Sequence, residues 1–186
     1  FTSDKLRDEN HSYTVLRGRL DRYLSERLLE KGIFVIPKYR VDDIIETNGR
    51  IEGVSVGEEK LYANVVVLAE GALSILTRKL GLKGELSPQA FAVGVKEIVG
   101  LAPEKINERF NVENEEGVAH LFIGNVTQGI FGGGFLYTNR DSVSIGVVVK
   151  ISSMMDAYPR IKTYELIERF KETYEIRNLI EGGSTL

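Results

Sequence analysis

Val65-Val66-Val67-Leu68-Ala69-Glu70-Gly71-Ala72-Leu73-Ser74 is the stretch on which the fold turns. A continuous apolar run closing on alanine, an acid, glycine and a small polar residue reads as a buried parallel strand. Its carboxyl end turns tightly toward a helix, the place where open α/β sheets bind nucleotides. Such a sheet also needs a glycine-rich first turn, Gly-x-Gly-x-x-Gly, and none occurs in this chain. The expectation is therefore an interior portion of a longer nucleotide-binding protein, with numbering that opens on Phe1.

With 186 residues the chain is long enough to bury a core, as one domain or as parts of two. Its formal net charge is −3 with no long basic run, which leaves no footprint for nucleic acid. No apolar stretch approaches the roughly 20 residues that span a bilayer. The absence of cysteine removes disulfides, a catalytic thiol and Cys-ligated zinc or iron–sulfur clusters from this chain. His11 and His120 lie far apart with no catalytic partner near them in sequence, so both read as structural. Asp42-Asp43 and residues 113–116 read as solvated turn charges.

From Tyr13 to Lys31, Leu16, Leu20, Leu24 and Leu28 recur every four residues, with Arg22, Glu26 and Glu30 opposite. That spacing predicts an amphipathic helix, ended by Gly32. Ile33-Phe34-Val35-Ile36 follows as a short buried strand. Tyr39 to Thr47 and Arg50 to Val56 flank Asn48-Gly49, the signal for a type I′ hairpin, with Lys60 to Ala63 as a third strand. Leu73 to Leu80 reads as helical, and the segment 81–88 as a crossing between subdomains. Beyond it Ala90 to Val99, Val118 to Ile123, Ile130 to Thr138 and Ser142 to Val149 form an antiparallel set. Pro103 opens a helix through Phe110 as a helix-start proline does. A last amphipathic helix runs from Tyr164 to about Arg177.

The expected class is α+β. Residues 1–85 carry partial nucleotide-domain elements (helix, small β-meander, parallel strand). Residues 86–186 form an antiparallel-sheet substrate domain with a packed helix.

Three places can carry chemistry. Arg17, near a helix start, can meet a phosphate or ribose, where free N–H groups and the dipole favour anions; equally it can pair with Asp21 one turn on. The Glu70-Gly71 turn can hold a nucleotide or be a plain strand end. Gly132, Gly133 and Gly134 interrupt an apolar strand pattern, each at a cost of roughly 0.5–1 kcal/mol against alanine. Such glycines mark a bulge, or a ligand or second backbone approaching closely. Phe131 and Phe135 beside them suit a flat apolar ligand.

Taken together these residues resemble the FixC family and electron-transfer flavoprotein–ubiquinone oxidoreductase. The resemblance rests on Tyr13-Thr14-Val15-Leu16-Arg17 with Asp21, Leu68-Ala69-Glu70-Gly71 with Ser74, and Ala92-Val93-Gly94-Val95-Lys96-Glu97. It continues through Gly132-Gly133-Gly134-Phe135-Leu136-Tyr137-Thr138-Asn139, Gly146-Val147-Val148-Val149 and Leu179-Ile180-Glu181-Gly182-Gly183. Flavoproteins of the p-hydroxybenzoate hydroxylase type carry a similar Ala-Asp-Gly-x-x-Ser segment, from which Glu70 departs. The resemblance implies FAD bound by the full-length protein, with Arg17, Val41, Ala69 and Gly71 along its adenosine side. It also implies electrons received from an electron-transfer flavoprotein and passed to a quinone, whose head group lies at Gly132 and Gly133. A ferredoxin-like iron–sulfur protein is then a separate partner, and the enzyme is cytoplasmic and peripheral on the membrane. Ile130 and Phe131, next to the glycine run, are either candidates for lining the cleft mouth or ordinary core residues.

A geranylgeranyl-reductase-like lipid saturase shares this architecture. Those enzymes carry Tyr-x-Trp-x-Phe-Pro where this chain has its glycine run, and the chain has no tryptophan. A flavin-free scaffold or binding domain is the third alternative. The expected set of contacts omits the pyrophosphate-binding helix start, so the chain alone is predicted to bind FAD weakly or not at all. Calorimetry showing submicromolar binding would refute that.

Overall fold

The computed structural model describes residues 13–113 and 116–186; His11 lies outside them. The chain divides into two compact units, Arg22–Ser87 and the residues up to Asp21 together with Pro88–Leu186. The division falls within α1 (Arg17–Glu30). That helix ends as its sequence predicts. Gly32 takes φ +75°, while its N–H bonds the Leu29 carbonyl and the Ile33 N–H bonds that of Leu28, the paired bonds of a Schellman ending.

In the smaller unit β1 (Asp43–Thr47), β2 (Arg50–Val56) and β3 (Glu59–Tyr62) form an antiparallel meander in that order. Asn48 and Gly49 both have positive φ, 51° and 77°, which is what a type I′ turn needs. Gly53 on β2 is forced: a Cβ there would lie 2.0 Å from the Leu61 carbonyl oxygen of β3. Helix α2 (Ile75–Lys79) follows.

The run at residues 65–69 does not form the expected parallel strand, and neither does the segment 33–36 form a strand. Every ladder among the described residues is antiparallel, so a parallel strand has no neighbour to bond. The period of two survives nonetheless. Val66 and Leu68 line an apolar cavity of about 280 Å³ with Ile44, Ile51, Leu80 and Leu82, whereas Val65 and Val67 are exposed.

The larger unit is built on a five-stranded antiparallel sheet in the order β5-β6-β7-β4-β8. Its strands are β4 (Ala92–Gly100), β5 (Ala119–Phe122), β6 (Gly132–Thr138), β7 (Ser142–Lys150) and β8 (Ser184–Thr185). One face carries Val93, Val95, Val99, Leu136, Val143, Ile145, Val147 and Val149, and buries them with Leu166, Ile167 and Phe170 of α5 (Thr163–Glu172). Helix α3 (Pro103–Phe110) adds Ile106 and Phe110. His120 is on this face too, its ring between those of Phe110 and Phe122.

The expected single final helix is two, α5 and α6 (Tyr174–Ile180), because Thr173 adopts extended backbone between them. Its hydroxyl donates to the Phe170 carbonyl at 2.8 Å. Helix α4 (Ile151–Asp156) and β8 carry no periodicity long enough to read from sequence. Half-buried Lys171 holds α5 to β4 through Glu97 at 2.8 Å and reaches Glu168 at the same distance.

Leu166 is wholly buried against the sheet. Leu166→Ala is expected to cost about 2–5 kcal/mol, read by denaturant unfolding; a loss under 1 kcal/mol would mean that α5 does not seal this core.

Candidate functional site

The expected nucleotide contacts lie at exposed positions. Arg17 bonds Asp21 through Nε at 2.5 Å and its side chain is 82% exposed, so its fork is engaged within its own helix. Val41 precedes β1 and is exposed. Ala69 and Gly71 flank the turn before α2, and Gly71 takes φ +73°, a region that costs glycine little. Ser74, at φ +46°, donates to the Gly71 carbonyl at 2.6 Å and accepts from Lys83 at 3.0 Å.

Glu70 is used differently from a ligand-facing acid. Its carboxylate accepts the Leu76 and Thr77 N–H groups at 2.8 Å and the Thr77 hydroxyl at 2.7 Å, capping the first turn of α2. Those bonds, the one from Leu76 foremost, hold its carboxyl below the usual range. Bare backbone at Ala69 and Gly71 fits the edge of a flavin nucleotide. Arg17 opens α1 with its guanidinium tied to Asp21, and the Leu76 and Thr77 N–H groups at the start of α2 are taken by Glu70. The fit to FAD is thus peripheral.

Asp42 and Asp43, expected as solvated charges, are bonded, the first exposed and the second half-buried. Asp42 accepts the Gly57 N–H at 2.8 Å, and Asp43 pairs with Lys79 at 2.6 Å. Both carboxyls are held low by these partners.

The second candidate region is the sheet face turned away from α5. Register places Gly133, Phe135 and Tyr137 of β6 on this face, with Leu121 of β5, Ser144, Gly146 and Val148 of β7, and Gly94 and Lys96 of β4. Leu121, Ile123 and Phe131 are 81%, 88% and 74% exposed. The Lys150 ammonium sits 6.0 Å from the Phe131 ring centre. Phe135 lies over Gly146, where an added Cβ would come within 2.4 Å of its ring, and stacks with Tyr137 at 6.0 Å and 17°. The result is an apolar strip with an aromatic floor.

The three glycines have packing reasons of their own. A Cβ on Gly132 would meet the Val148 carbonyl oxygen at 2.1 Å, one on Gly133 the Phe122 carbonyl oxygen at 2.7 Å, and one on Gly134 the Phe170 ring at 2.9 Å. A second backbone is what approaches the first two. Gly133 also opens onto the strip, whereas Gly132 alternates to the other face. Ile130 is a core residue at 4% exposure, so Phe131 alone of that pair is placed to line a mouth.

Sequence reading missed Lys96, Ser144 and Gly146, and passed over Leu121 and Ile123. The alternation within each strand marks them, but the pairing that gathers them onto one face joins residues such as Lys96 and Tyr137, which are 41 positions apart.

The fold is α+β, with large apolar and aromatic side chains exposed on one face of an antiparallel sheet. Residues 91–186 match the family described as ETF-QO, ubiquinone-binding, and the chain belongs to that family. It is similar to the probable electron transfer flavoprotein-quinone oxidoreductase YdiS of Escherichia coli (strain K12), 46% identical over 96% of this chain and 41% of that protein. It is also similar to the probable electron transfer flavoprotein-quinone oxidoreductase YgcN of the same strain, 40% identical over 100% of this chain and 43% of that protein. Protein FixC of that strain is 37% identical over 97% of this chain and 42% of its own length. The chain thus spans about two fifths of the length of these curated relatives.

The Glu70 cap makes a pH prediction. A carboxyl whose folded-state pKa is depressed contributes above its ordinary value, 4.5 here, and loses that contribution as pH falls through the folded value. Hydrogen exchange at the Leu76 and Thr77 amides, corrected for intrinsic rates, is expected to accelerate as pH falls below about 4.5, and to be faster in Glu70→Gln than in the parent above that pH. Unchanged protection in both cases would show that the carboxylate does not hold α2.

Proposed function

We propose that the full-length protein is an FAD-dependent oxidoreductase that takes electrons from an electron-transfer flavoprotein and passes them to a quinone. In this reading the larger unit supplies the quinone side, and Val41, Ala69 and Gly71 of the smaller unit supply adenosine-side contacts to the flavin. The observation that carries it is the strip of Leu121, Ile123 and Phe131, which leaves large apolar side chains in water beside the aromatic floor of Phe135 and the bare backbone of Gly133. Contiguous exposed apolar surface of this kind marks a ligand groove or a membrane contact. A ferredoxin-like iron–sulfur protein is, in this reading, a separate partner.

Quinones are too apolar to leave a bilayer readily, so the strip is assigned to its surface. Among the described residues no helix is long and apolar enough to cross a membrane, and the contact proposed is peripheral. Lys150 beside Phe131 suits anionic headgroups at that edge. The quinone head group is placed over Gly133 and Phe135, with Gly132 shaping the strand beneath.

Substituting the glycines would drive a side chain into neighbouring backbone, so exposed positions make the cleaner test. Each apolar side chain moved from water into lipid contributes about 1.5–3 kcal/mol. Ile123→Glu/Phe131→Glu in the full-length protein is therefore expected to cut flotation with liposomes by more than about tenfold, and to slow reduction of a long-chain quinone. Equal flotation by a double variant with an unchanged circular dichroism spectrum would remove this strip from the membrane contact.

A further inference from the structure

Past Phe135 the same sheet face turns polar. Tyr137 is half-buried on β6, directly opposite Ser144 of β7. Lys96 donates from Nζ to the Tyr137 hydroxyl oxygen at 3.1 Å and lies 5.5 Å from the ring centre. Asn139 donates from Nδ2 to Ser144 Oγ at 3.1 Å, and Ser144 hydrogen-bonds the phenol in turn. A phenol oxygen that accepts from a hydroxyl and an ammonium keeps its own proton for a third partner. Burial pushes the Tyr137 phenol up, but the bonds from Ser144 and Lys96 and the ammonium charge outweigh it and hold the group below its ordinary value.

Stability does not account for the cluster. Asn139 Oδ1 and Ser142 Oγ are buried without a hydrogen-bond partner, each at a cost of about 1–3 kcal/mol. Local rules of packing are broken in this way where a site has another task. Gly133, Phe135 and Tyr137 follow one another on the face at roughly 7 Å intervals, two residues of strand each. A planar acceptor laid over Gly133 and Phe135 therefore presents one oxygen toward the Tyr137 hydroxyl.

We propose that Tyr137 is the acid that protonates the reduced acceptor on this face, with Lys96 restoring its proton. The inference rests on the quinone reading above. A quinone becomes a hydroquinone by taking two electrons, delivered through the protein from the reduced electron-transfer flavoprotein, and two protons. At the near oxygen the Tyr137 O–H bond breaks as an acceptor O–H bond forms. The Lys96 ammonium then passes a proton to the phenolate and regains one from water. The far oxygen, on the open side, takes its proton from water.

The test uses the full-length, flavin-loaded protein and two acceptors: a short-chain ubiquinone analogue, and ferricenium, which takes one electron and no proton. Tyr137→Phe is expected to lower kcat for the quinone on the order of 10²-fold. Ferricenium reduction should stay within about twofold, since it takes no proton, and quinone affinity by equilibrium dialysis should fall by no more than about tenfold, the loss of one hydrogen bond. Lys96→Met should show a smaller loss and move the alkaline limb of the pH profile upward, because the phenol then ionises later; Lys96→Arg should bring the limb back, since the charge is restored, but not the rate, since a guanidinium does not release a proton. Equal losses with the two acceptors, or full quinone turnover in Tyr137→Phe, would overturn the assignment. A parent protein that reduces ferricenium but no quinone would sink the functional reading itself, and the acid with it, by a distinct result.

Discussion

The central strand β7 carries β-branched residues on one face and, from Ser142 to Gly146, small ones on the other, and the rest of the larger unit depends on that asymmetry. Val143, Ile145, Val147 and Val149 are wholly buried toward α5, where β-branched side chains fill a pleated surface well. Ser142, Ser144 and Gly146 point the opposite way. Because Gly146 has no side chain, Phe135 from the next strand lies flat across it. The first face makes a core; the second makes a floor. An alanine in place of Gly146 would meet both the Phe135 ring and the Val95 carbonyl oxygen, 2.5 Å from its Cβ, and the floor could not form as it stands.

What could be read in advance follows how local each constraint is. Asn48-Gly49 announces its turn because the demand for positive φ is met by those two residues alone. Pro103 announces α3 because a missing N–H is harmless at a helix start, and α3 spans Pro103–Phe110 as expected. The β7 alternation is visible for the same reason, since each side chain records its own face. Residues 65–69 were misread because a parallel strand is a property of its neighbours. The break at Thr173 lies inside an unbroken helical pattern, so periodicity conceals it. The polar cluster was hidden by register: nothing near Lys96 in sequence points to Tyr137, and only the β4–β7–β6 ladders bring them together.

The two candidate regions divide the chemistry unevenly. The turn at Glu70-Gly71 spends its carboxylate on its own helix. The sheet face keeps its best groups outward: aromatic surface, exposed aliphatic side chains, and a phenol with a cation beside it. That contrast agrees with membership of a family described by ubiquinone binding, since it is the sheet face that offers a flat ring both contact area and a hydrogen-bonding end.

Val65 and Val67 point outward at 76% and 81% exposure, in a segment whose amides join no sheet among the described residues. Uncharged β-branched residues on an unpaired backbone form a template for strand addition from a second molecule. The nearest acid is Glu70, which is already committed to α2, so no free charge within the run repels an incoming strand. Wherever this segment is left uncovered, it is a point at which self-association can begin from the folded state.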